Sequence, residues 1–89
     1  MKTKRSYSAA DVETFDARQL APQLATGSIV AIDVAKTKFV AAIATLTGEV
    51  VKLVKFEHPR QTELFLSQVS LLREAGQEPT VVMESTGTY

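Results

Sequence analysis

Ile29-Val-Ala-Ile-Asp33-Val-Ala-Lys-Thr37 and Thr80-Val-Val-Met-Glu84-Ser-Thr-Gly-Thr-Tyr89 decide how this chain folds. Each is an apolar run rich in β-branched residues that ends in one carboxylate and then turns polar, the pattern of a strand running out to a sheet edge. Placed side by side and pointing the same way, the two strands present Asp33 and Glu84 at one rim. Parallel neighbours cannot be joined by a tight turn, so the segment between them has to supply a crossover.

The intervening residues fit that demand. Gly27 breaks the chain before a first strand at Ile29–Ile32, whose continuous apolar character predicts burial on both faces. Lys36-Thr37-Lys38 is a polar turn, and Phe39–Leu46 predicts a second strand. Thr47-Gly48-Glu49 supplies a hairpin turn with a glycine free to take a positive φ, and Val50–Phe56 predicts a third strand with Lys52 and Lys55 exposed. Pro59 suits the first position of a helix. Leu64, Phe65, Val69, Leu72 and Ala75 then recur at helical spacing, Arg60, Gln61, Gln68 and Arg73 fill the opposite face, and Gly76 stands where a C-terminal cap belongs. Thr80–Glu84 is the fourth strand. The expected order is β-β-β-α-β, an α/β fold in which the helix covers one sheet face and strand four runs parallel to strand one.

Residues 1–27 form an N-terminal arm of different character. Lys2, Lys4 and Arg5 make a basic head, and Val12, Phe15 and Leu20 have the loose spacing of a short helix, with Ser8 or Asp11 as N-cap and Pro22 as its stop. A mobile tail is the alternative, because short helices are weak without a packing partner.

Composition narrows the function classes. The chain has 89 residues, with 10 basic and 10 acidic, so no net field draws it to nucleic acid or an anionic membrane, and any such contact must be local. A chain this short buries about 60% of its unfolded surface, which sets a modest stability. Cysteine is absent, excluding a disulfide framework and a cysteine zinc site and fitting a reducing compartment, with the cytoplasm as the default location. The longest apolar runs fall far short of the roughly 20 residues of a membrane span, and Met1–Arg5 leads into polar residues rather than a signal-peptide core.

Asp33 and Glu84 are the residues that point to chemistry. Two carboxylates converging on one spot repel unless a hard cation lies between them, and Mg²⁺ or Mn²⁺ with oxygen ligands is the usual solution. Such a pair forms part of a two-metal phosphodiester site, although two ligands are fewer than that site requires. Each acid also has a structural reading, Asp33 as a turn cap and Glu84 as a surface carboxylate before the Ser85–Thr88 turn. Lys36 and Lys38 follow Asp33 closely and offer phosphate contacts, or simply form a solvated turn. Ser85 and Thr86 lack a general base, since the only histidine, His58, lies at the far end of the third strand and reads as a helix-entry residue. Phe39, Phe56 and Phe65 read as core, while Tyr89 is free either to stack on a base or to begin a further element.

Ala31-Ile-Asp33-Val-Ala-Lys36, the hairpin Thr47-Gly48-Glu49-Val50 and Val81-Val-Met-Glu84-Ser-Thr-Gly87-Thr-Tyr89, in this order, resemble the N-terminal part of DEDD transposases of the insertion-sequence-110 family, relatives of the Piv DNA invertases. The last string is the most specific. The resemblance covers roughly Ser28 to Tyr89 and implies the first half of a RuvC-like, RNase H-like fold over 28–89, with Asp33 and Glu84 as the first two acids of a Mg²⁺- or Mn²⁺-binding catalytic set. It further implies DNA as substrate, a structured guide-type RNA and a homo-oligomer in the full-length protein; no membrane partner is expected either, from the short apolar runs noted above. The family's two later aspartates and its serine-bearing C-terminal domain have no counterpart in these residues, so the expectation is a truncated transposase, inactive alone.

Two other classes compete. A non-catalytic module that binds nucleic acid or a transposase subunit needs only half the site. Sugar kinases and actin-like ATPases also open with a strand, an aspartate and a hairpin, but their phosphate turn carries glycine where this chain has Val34-Ala35-Lys36.

Overall fold

The structure, a computed structural model, describes residues 9–24 and 27–85. It is a mixed α/β arrangement on one five-stranded sheet. β1 (Ala10–Asp11), α1 (Ala21–Leu24), β2 (Ser28–Val34), β3 (Lys38–Ala44), β4 (Val50–Glu57), α2 (Thr62–Glu74) and β5 (Pro79–Ser85) follow in that order, and the sheet runs β1-β4-β3-β2-β5. The four predicted strands are β2 to β5. β2, β3 and β4 form the antiparallel meander, and after the α2 crossover β5 pairs parallel to β2. No helix among the described residues is long and apolar enough to cross a membrane.

Strand alternation gives the sheet one buried face. Val30, Ile32, Phe39, Ala41, Ile43, Val54 and Phe56 point into the core, where Phe65, Val69 and Leu72 of α2 meet them. Phe65 stacks on Phe56 at 4.3 Å between ring centroids, and Phe56 meets Phe39 edge-on at 5.4 Å. The expectation of a first strand buried on both faces is corrected. β2 alternates along its length, and Asp33 is exposed because nothing among the described residues covers the odd-numbered side.

The arm departs furthest from expectation. In place of one helix ended by Pro22, residues 12–14 and 17–20 form two 3₁₀ turns, and Pro22 sits inside α1, in the first turn where its missing N–H is no loss. Nor do residues 9–24 form a loose tail, since Val12, Phe15, Leu20 and Leu24 belong to the core shared by sheet and helix. Asp11 caps the first turn by accepting the Glu13 N–H at 2.9 Å. Ala17 N–H donates to Gln68 Oε1 at 2.7 Å, and Gln61 Nε2 donates to Glu13 Oε2 at 2.9 Å. Gln61 and Gln68, expected on the solvent face, therefore tie the arm down. The basic head, Ser8 and residues 86–89 lie outside the described residues.

Both ends of α2 also carry information. Pro59 does not open the helix, which begins at Thr62 after a turn containing a cis His58–Pro59 bond. His58 stacks on Phe39 at 5.2 Å, with Nδ1 hydrogen-bonded to Thr62 Oγ1 at 2.7 Å. Leu64, assigned to the core side by spacing, is 38% exposed. At the C-terminus Gly76 takes φ +84, its N–H donates to the Arg73 carbonyl at 3.0 Å, and Gln77 N–H donates to the Leu72 carbonyl at 3.0 Å, the paired bonds of a Schellman cap.

Phe65→Ala should lower unfolding free energy by about 3–5 kcal/mol in a urea titration, whereas Leu66→Ala, at a neighbouring exposed position, should stay within about 0.5 kcal/mol of the parent. A Cβ at Gly76 would meet nothing within 4 Å, so Gly76→Ala should cost only the left-handed backbone penalty of about 1–2 kcal/mol in the same measurement.

Candidate carboxylate site on the open sheet face

In the β2–β5 ladder Asp33 is the register partner of Glu84. Register partners on adjacent strands project from the same face about 4.8 Å apart at their backbones. Both residues are exposed, and both line a depression of about 290 Å³ on the uncovered side. The depression exists because Ala31 and Ala42, paired across β2 and β3, carry only methyl side chains, with the larger Val40 and Leu53 also lining it.

Local sequence explains how the two acids arrive together. β2 stays extended through Val34 and is then turned back at Ala35–Lys38, where Lys36 takes φ +44 and Lys38 N–H donates to the Ala35 carbonyl at 2.9 Å. β5 starts from the α2 cap through Glu78, at φ +42. Pro79 and Ser85 mark the ends of its ladder with β2.

The lysines part company. Lys36 occupies the tip of the turn, whereas Lys38 begins β3, exposed on the open face and opposite Glu57 of β4. Lys55 was legible only as an exposed strand residue, yet it pairs with Val40, which itself pairs with Asp33, so it stands in the same transverse row as the carboxylates. The side chains of Ser85, Thr86 and Tyr89 lie outside the described residues.

Two side-chain carboxylates make an all-oxygen donor set, which suits Mg²⁺ or Mn²⁺ in type and falls short in number. Among the described residues no third His, Asp or Glu joins them in a metal-binding group. Facing water, the repulsion between such a pair amounts to about 1 kcal/mol, so the fold tolerates it and gains nothing from it. No protein-family model, curated protein or solved structure matches the chain.

Because neither carboxylate supports the fold, Asp33→Asn should leave the urea midpoint unchanged or raise it slightly at low ionic strength, with the gain fading in high salt. A drop of more than about 1 kcal/mol would assign Asp33 a structural role instead.

Proposed function

We propose that this chain carries the first two acids of a metal-dependent, phosphodiester-processing site of the RNase H-like type, in the manner of the DEDD transposases its sequence resembles. The observation that carries the reading is the direct pairing of Asp33 with Glu84 on one accessible face. An antiparallel meander followed by a helical crossover to a parallel strand is compatible with the first half of a RuvC-like domain. The string Met83-Glu84-Ser-Thr-Gly87-Thr-Tyr89 adds the resemblance in sequence.

In this reading Asp33 and Glu84 each contribute carboxylate oxygens to one Mg²⁺ or Mn²⁺. When bound, such an ion stabilises charge on a phosphodiester and activates the attacking oxygen. The chain's own part is positional. The ladder fixes the spacing of the acids, and the Ala31–Ala42 floor leaves room above them for a substrate. DNA is the expected substrate, with structured RNA and further subunits as expected partners of a complete transposase.

A non-catalytic role in binding nucleic acid or a partner subunit is the second reading, favoured by the lack of a third acidic ligand among the described residues. DNA hydrolysis by the chain in Mg²⁺ that disappears in Asp33→Asn would exclude it.

Mn²⁺ titration followed by paramagnetic broadening of amide signals should locate the ion at the β2 and β5 ends. Its affinity should be weaker than about 10⁻⁴ M for so sparse a ligand set, and Asp33→Asn or Glu84→Gln should abolish it. Broadening that persists in both variants, or centres elsewhere, would sink the proposal.

A further inference from the structure

The two edges of the sheet are built differently. At one edge β1 is two residues long and runs straight into a 3₁₀ turn, so it offers little to pair with. At the other edge β5 keeps seven extended residues, about 23 Å of strand, and among the described residues its only ladder is the one with β2. The outward backbone N–H and C=O groups of β5 are therefore open to a further strand.

Sheets shield such an edge with charge, proline, a bulge or a covering element. β5 has Pro79 at its entry and Glu84 near its exit, and its ladder with β2 runs through without a bulge. Between those two residues the edge is apolar and accessible, with Val81, Val82 and Met83 exposed by 45%, 42% and 61%. It invites pairing rather than opposing it.

We propose that a second copy of the chain occupies this edge, joined β5 to β5 in antiparallel fashion about a two-fold axis at Val82. The strand is complementary to itself in that register. Val82 meets Val82 of the partner subunit, Val81 meets the partner's Met83 and Met83 the partner's Val81, so the apolar residues of both faces are covered by their own kind. Glu84 meets the partner's Thr80. The neighbouring registers are worse, since an axis at Val81 sets Glu84 against the partner's Glu78, and an axis at Met83 sets it against the partner's Val82. A formal charge of zero removes the long-range repulsion that would keep two copies apart. Each copy has one long free edge, so the assembly closes at two, with the short β1 strands at its outer ends. The axis stands perpendicular to the sheet and leaves both open faces on the same side, which brings the two Asp33–Glu84 pairs onto one continuous surface. None of this depends on what those carboxylates bind.

The test is sedimentation equilibrium of the metal-free chain from about 10 µM to about 1 mM, a range suited to an interface below about 1,200 Å². The mass should rise from one chain toward two and stop there. V81E and M83K each place a charge in the apolar pairs twice over and should weaken association about tenfold. An equimolar mixture of the two should associate better than either alone, because the register sets the new acid of one chain opposite the new cation of the other. T80K adds a cation opposite Glu84 of the partner subunit and should tighten the dimer, a gain that misfolding does not mimic. L46K alters an apolar residue 62% exposed away from the edge and should match the parent. A parent that stays monomeric leaves the edge to a strand of another protein and overturns the proposal. So would assembly beyond two, an equal loss in L46K, or a mixture no better than its components.

Discussion

Because β2 and β5 run parallel, their ends at Asp33 and Glu84 fall on the same rim without any turn between them, and the chain must travel the length of α2 to bring them there. The register of that one pairing decides what the open face can do. A slip of a single residue would turn Glu84 to the helix side and put Met83 or Ser85 opposite Asp33. Burial alone holds the register weakly, since Val81 and Met83 on the helix side of β5 are 45% and 61% exposed. The stronger constraint lies at the strand's entry. The Schellman cap fixes the last turn of α2, Gln77 is buried with its N–H on the Leu72 carbonyl, and Gly76 and Glu78 take left-handed conformations that aim the chain into β5.

The same economy explains why the arm matters. One helix of 13 residues is too narrow to cover a five-stranded sheet, and the arm fills the remainder of that face with Val12, Phe15, Leu20 and Leu24. All the covering elements among the described residues lie on one side. The other side is left with small residues at Ala31 and Ala42 and a transverse row that carries Glu84, Asp33, Lys55 and Asp11, features that contribute little to folding. Stability and candidate function are thus divided between the two faces of one sheet.

Much of this was legible in the sequence, and for identifiable reasons. Strand, turn and crossover positions followed from the alternation of apolar runs with Gly48, Gly76 and the polar turn at Lys36, because these are local signals. The pairing of Asp33 with Glu84 needed only one topological step, that a helix between two strands permits parallel neighbours. What failed was information held in tertiary contacts. Val12, Phe15 and Leu20 looked like a marginal helix because their spacing is set by the core they fill rather than by helical repeat. Gln61 and Gln68 looked solvated because their partners, Glu13 and Ala17, lie far back in the chain.

Lys55 shows the same limit at the candidate site. Its distance from Asp33 in sequence gave no hint of proximity, and its relation to the acids appears only after two strand pairings are known, Asp33 with Val40 and Val40 with Lys55. Lys36, nearer in sequence, sits at the turn instead. A charged row that crosses strands is invisible to any reading that runs along them. Such a row is also a consequence of the sheet's uncovered side, where polar residues at alternate positions remain free to act on a ligand. The face that the fold uses least is therefore the one on which the candidate pair of acids stands.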